Sequence, residues 1–105
     1  MIRRLFLALP WVAPARAQSD PLADPRRRID AVDQRLVALL NERAKIVDEV
    51  SRIKKAKNLP VSDPRRFQEV LDRAAGYSRG PLPSDAVRRI YQRIVEEMQA
   101  WEATR

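Results

Sequence analysis

No cysteine and no histidine occur in the 105 residues. Their absence removes thiol nucleophiles, histidine general bases, His/Cys zinc sites and any disulfide framework. Two glycines leave no room for a glycine-rich phosphate loop. Any chemistry must therefore rest on arginine, lysine, carboxylates, amides and hydroxyls. What the chain has in surplus is positive charge, with 21 Lys and Arg against 14 Asp and Glu and a formal net charge of +7.

Part of that surplus belongs to an address label. Met1–Arg4 is short and basic, Leu5–Ala13 is apolar, and Pro14-Ala15-Arg16-Ala17 supplies the small residues of a signal-peptidase site. An apolar helix over Leu5–Ala13 would rise only about 13 Å, far short of the roughly 30 Å hydrocarbon core, so stable membrane insertion is not expected. Residues 1–17 read as a cleavable signal peptide and residues 18–105 as the exported domain, periplasmic or secreted. Arg3-Arg4-Leu5-Phe6-Leu7 also partly matches the twin-arginine pattern. Removing residues 1–17 takes away three of the 21 basic residues and no acidic one, leaving 88 residues and a net charge of +4. So short a chain without disulfides buries little surface by itself, and oligomerisation is expected.

The rest reads as all-α, in three helices. Breaks fall at Leu59-Pro60 and between Gly76 and Pro83, and no stretch alternates with period two. The first helix is expected from Asp24 or Pro25 to Lys57, with Asp24 as cap and Pro25 at the first helical position. At about 1.5 Å per residue it reaches roughly 50 Å, a length that usually finds a partner helix on another chain. The second is expected from Asp63-Pro64 to near Gly76, with Phe67, Val70, Leu71, Ala74 and Ala75 as its apolar face. The third begins at Ser84, with Asp85 in its first turn and a stripe of Val87, Ile90, Tyr91, Ile94, Val95, Met98 and Trp101. Tyr91 and Trp101 read as core.

Charge interrupts the apolar stripe of the first helix. Steps of three and four lead through Arg26, Ile29, Asp33, Leu36, Leu40, Arg43, Val47, Val50 and Lys54. A second track, Val32, Leu36, Leu39, Arg43, Ile46, Val50 and Ile53, also passes through Arg43. Arg43 is thus near the middle of the apolar face, where an unpartnered guanidinium costs several kcal/mol. Two partners are possible. One is an ion pair within or between chains, with Asp33, Asp48 or Glu97. The other is a small enclosed site for a dianion or trianion, such as a polycarboxylate or phosphate ester.

The run Ile29-Asp30-Ala31-Val32-Asp33-Gln34-Arg35-Leu36-Val37-Ala38-Leu39-Leu40-Asn41-Glu42-Arg43 resembles the opening of the all-helical chorismate mutases. The resemblance continues at matching spacing through Val50-Ser51-Arg52-Ile53-Lys54, Pro60–Arg66 and Gly80-Pro81-Leu82. It implies an intertwined homodimer of three-helix protomers with the long first helices paired. It also implies that Arg26 reaches the partner's site, that Arg43 and Arg66 hold substrate carboxylates, and that Lys54 reaches the ether oxygen and a carboxylate. Asp63 matches a substrate-hydroxyl contact.

The implied reaction, chorismate to prephenate, is a [3,3] rearrangement with no proton transfer, cofactor or metal, so the missing His and Cys are no handicap. A site for it must hold a flexible dianion in its compact conformer and stabilise charge on the breaking ether oxygen. An exported mutase would stand apart from the cytoplasmic shikimate pathway of aromatic amino acid biosynthesis.

Two positions depart from the family pattern. Phe67 stands where the family commonly has a glutamate for the substrate hydroxyl. Glu102 stands where it usually has a glutamine as second ether-oxygen donor. An apolar residue at position 67 is also similar to the isochorismate-pyruvate lyases, which share the fold and site and form salicylate. Gly80-Pro81-Leu82 and the Asp63-Pro64 cap favour the mutase. A nucleic-acid binder would suit a pI near 10.8, but no basic run is interleaved with aromatics, and export argues against a nucleic-acid partner. A non-catalytic helical dimerisation module would carry Arg and Lys in its seam at a cost in stability.

Glu102 can donate to an ether oxygen only when protonated. Either activity rises as the pH falls below neutral, or a buried setting keeps the proton in place. A rise in kcat/KM below neutral pH, altered by Glu102→Gln, is the expected result. A flat profile from pH 5 to 8 with an unchanged variant would remove Glu102 from the mechanism.

Overall fold

The computed structural model describes residues 20–105. The proposed leader, residues 1–17, lies outside them. Three helices follow in order: α1 (Ala23–Ala56), α2 (Pro64–Tyr77) and α3 (Ser84–Glu102). The described residues contain no strand, so the all-α, three-helix reading holds.

Both ends of α1 differ slightly from expectation, for local reasons. Asp24 is not the cap. It sits inside the first turn, where its carboxylate accepts from Arg27 at 3.3 Å and Arg28 at 3.0 Å. The turn before the helix is closed by Asp20, whose Oδ1 accepts from the Leu22 N–H at 2.9 Å. Pro25 is tolerated as the third residue because first-turn amides have no intrahelical carbonyl to meet. At the other end Asn58 adopts φ 52°. The Leu59 N–H then reaches back to the Lys54 carbonyl at 2.8 Å, and the Asn58 N–H to that of Lys55 at 3.4 Å. This is a Schellman ending, with Asn taking the left-handed place that glycine usually fills.

By contact the chain divides into two units, one ending at Leu39 and the other running from Leu40 to Arg105. In the described part of the first unit, Ile29, Val32, Leu36, Val37 and Leu39 are each between 48% and 59% exposed. The apolar face expected from the stripe is present there, and no described residue of that unit buries it.

The second unit holds the core. Asp63 caps α2 as expected, accepting the Arg66 backbone N–H at 3.1 Å, with Pro64 opening the helix. α2 and α3 pack together around Leu71, Ala74, Ala75 and Val95, the buried apolar residues of the described chain. Arg88 on α3 pairs with Asp72 on α2 at 2.8 Å. Phe67 and Val70 are only half-buried, and Ile90 is 50% exposed. The outer edges of both predicted stripes are therefore open, while their centres form the core. Ser51 is the buried residue that α1 contributes.

The end of α3 is tied to α1 inside this unit. Asp48 accepts from Arg52 at 3.1 Å and from Arg105 at 3.2 Å. Arg105 in turn lies 4.6 Å from the centre of the Trp101 ring. Trp101 is half-buried, so it serves as a stacking platform for the Arg105 cation rather than as enclosed core.

Candidate active site

A cavity of about 510 Å³ lies wholly within the second unit. Its walls come from the C-terminal half of α1, the segment leading into α2, the start of α2 and the last turns of α3. α1 contributes Arg43 and Lys54 with Val47 and Val50 between them, which is the periodicity of the stripe made into a wall. Asp63 and Arg66 come from the cap and first turn of α2, and Glu102 from the final turn of α3. Five of the six site residues read from the sequence thus share one cavity. Arg26, the sixth, is exposed and belongs to the first unit.

Arg43 is half-buried, and its Nη1 donates to the Met98 sulfur at 2.9 Å. A thioether is a weak acceptor, so this contact orients the guanidinium without neutralising it. The carboxylates considered as ion-pair partners are engaged elsewhere or exposed. Asp48 serves Arg52 and Arg105, Glu97 pairs with Arg93 at 2.6 Å, and Asp33 is exposed in the first unit. Lys54 donates to the Val61 carbonyl at 3.3 Å, which leaves two further N–H bonds on its ammonium. Arg66 makes a long contact of 3.7 Å with Glu69 and is otherwise open. The cavity therefore offers three cations with donors to spare.

Asp63 does two things at once. One oxygen caps α2, and the side chain also lines the cavity. Phe67, one residue beyond Arg66, lines the same wall and is half-buried. Glu102 is half-buried as well, so its carboxyl is neither enclosed nor fully in water.

A cavity with this order of elements and cations can be compared with known proteins. Residues 25–103 match the model of the family described as chorismate mutase type II. The chain belongs to that family. Among curated relatives, a bifunctional chorismate mutase/prephenate dehydratase of Aquifex aeolicus is 32% identical over 80 residues, covering 72% of this chain and 22% of the relative. A chorismate mutase of Methanocaldococcus jannaschii is 33% identical over 54 residues, covering 51% of this chain and 54% of that one. The chain thus spans between about a fifth and about a half of the length of these relatives. A solved chorismate mutase of Thermus thermophilus superposes with a TM-score of 0.74 at 28% identity, covering 78% of this chain and 93% of that one.

Two cavity residues of this chorismate mutase domain have no role legible in the sequence. Met98 belongs to the α3 stripe, but its sulfur contact with Arg43 depends on how α3 packs against α1. Gln99 carries no motif, although steps of four and three from buried Val95 lead through it to Glu102.

The two duties of Asp63 can be separated. Asparagine caps about as well as aspartate, whereas alanine loses about 1 kcal/mol. Urea denaturation should therefore show Asp63→Asn close to the parent and Asp63→Ala destabilised by about 1 kcal/mol. Equal destabilisation by both would mean that the charge, not the cap, stabilises this turn.

Proposed function

We propose that this chain catalyses the rearrangement of chorismate to prephenate, and that it does so as a homodimer in which Arg26 completes the partner's site. The observation that carries the reading is the gathering of Arg43, Lys54 and Arg66 on one cavity, with Arg43 held by a sulfur rather than a carboxylate. Chorismate carries two carboxylates, and its volume suits a cavity in the range of about 300–1,000 Å³ typical of small-ligand sites.

In this reading Arg43 and Arg66 bind the carboxylates and hold the molecule in its compact form, so that the two ends to be joined are already close. Lys54 lies at the α1 wall and donates to the ether oxygen, where negative charge grows as the C–O bond lengthens. Donors fixed in a partly dry cavity act more strongly there than in water. Val47, Val50 and Val70 exclude water from the reacting carbons. Asp63 has a carboxylate oxygen beyond the one used for capping, and this receives the substrate hydroxyl. Glu102 supplies a second donor to the ether oxygen when protonated. The uncovered apolar face of residues 29–39 supports pairing with a second α1, which removes that surface from water.

Phe67 favours one further reading. An apolar wall at that point provides no partner for a substrate hydroxyl, and an isochorismate-pyruvate lyase would need none there. The N-terminal pattern supports export. Protein recovered from the exported fraction is expected to begin at Gln18, and recovery only of chains beginning at Met1 would defeat that reading.

The deciding assay offers chorismate and isochorismate separately to the purified protein. Prephenate from chorismate is the expected product, while salicylate and pyruvate from isochorismate alone would establish the lyase. Lys54→Ala should lower kcat by about 10²–10³-fold, the usual loss for one donor at a developing oxyanion. Mixing inactive Arg26→Ala and Arg43→Ala chains should restore about a quarter of the parent activity, because each mixed dimer keeps one intact site. No recovery on mixing would show that Arg26 does not act across chains.

A further inference from the structure

Four side chains of α3 line the cavity: Val95, Met98, Gln99 and Glu102. Valine has no polar group, a thioether only accepts, and an ionised carboxylate only accepts. Gln99 is therefore the one α3 residue on this wall with an N–H to offer at every pH. We propose that Gln99 is a hydrogen-bond donor to the bound dianion, supplying from α3 the contact that ionised Glu102 cannot make. The inference rests on the mutase reading of the site.

Its placement follows from the helical register. Gln99 follows buried Val95 by four residues and precedes Glu102 by three, so both polar groups occupy one edge of α3. Its backbone carbonyl accepts from Ala103 at 3.1 Å, which keeps this turn helical. The next turn is fastened by Arg105 to Asp48 and Trp101. The Gln99 amide makes no hydrogen bond to another described side chain; Gln92, by contrast, donates to Glu96 at 3.3 Å.

The charges facing this edge define the problem that it solves. Arg43 and Lys54 face it from α1, and Arg66 with Asp63 from the start of α2. The cations attract a dianion, whereas Asp63 and ionised Glu102 repel it. At neutral pH the α3 wall would hold the substrate against a carboxylate with no donor unless an amide stood beside it. Gln99 answers that need, and Glu102 could add a second donor only when protonated.

The test uses the full chain and variants Gln99→Leu, Gln99→Glu, Glu102→Gln and the double variant Gln99→Leu/Glu102→Gln, each checked for helicity by circular dichroism. kcat/KM for chorismate is followed from pH 5 to 8. Gln99→Leu should lose about tenfold or more at pH 8 and markedly less at pH 5. Gln99→Glu keeps the length but loses the N–H at high pH, and should show the same acid-favoured profile. In the Glu102→Gln background, where a donor is already present, the cost of Gln99→Leu should shrink. A loss of equal size at every pH marks a packing role and overturns the proposal, as does unchanged kcat/KM at pH 8. Absence of turnover by the unmutated chain would overturn the mutase reading, and this inference with it.

Discussion

A guanidinium on the apolar face of a helix needs an anion, and much of this molecule is arranged around that requirement. Arg43 stands among Ile46, Val47 and Val50 with only the Met98 sulfur as its hydrogen-bond partner among the described side chains. A carboxylate at that place would have formed a buried ion pair, whose Coulomb gain is offset by desolvation and which would leave nothing for a ligand. The thioether orients the side chain and leaves its charge available. The acids that could have quenched it are committed elsewhere, Asp48 to Arg52 and Arg105 and Glu97 to Arg93. Those surface pairs contribute little stability by themselves. Their effect is to keep Asp48 and Glu97 from pairing with Arg43.

The same helix meets two demands with one periodicity. Residues 43–54 of α1 form a cavity wall, and residues 29–39 continue the apolar pattern with no cover from the described residues of their own unit. The core proper is thin, with Leu71, Ala74, Ala75 and Val95 as its buried apolar residues. A domain of this size commonly relies on a second copy for what its own interior cannot supply. In the proposed dimer, assembly and catalysis would be linked, since the contact that covers α1 would also deliver Arg26.

The departures from the family pattern fall on the two walls opposite α1. By that resemblance Phe67 stands for a polar group at the start of α2, and Glu102 for an amide at the end of α3. Both changes would alter the donors and acceptors that the proposed site offers a hydroxylated dianion. In the proposed site Gln99 would partly reverse the second change from the same helical edge. Asp63 is constrained from both sides, because the residue that caps α2 also lines the cavity.

The helices, the stripe and the row of cations were legible from residue order alone. Spacings of three and four, the Asp63-Pro64 cap and the lack of any period-two stretch are local signals, and local signals survive without knowledge of packing. Even the misplaced start of α1 was a local matter, because Asp20 closes the turn before the helix and Asp24 pairs with Arg27 and Arg28 inside its first turn. Arg43 and Lys54 were legible together because they share a helical face, whereas Arg66 was joined to them only through the family resemblance. The partner of Arg43 was not. Asp33, Asp48 and Glu97 were all candidates, and only the approach of α3 to α1 put a sulfur there instead. Trp101 stacking on Arg105, and Gln99 turning its edge to the cavity, were likewise set by how helices distant in sequence pack. Helical periodicity assigns a residue to a face, but the residue that faces it across a cavity is decided only when the second helix is in place.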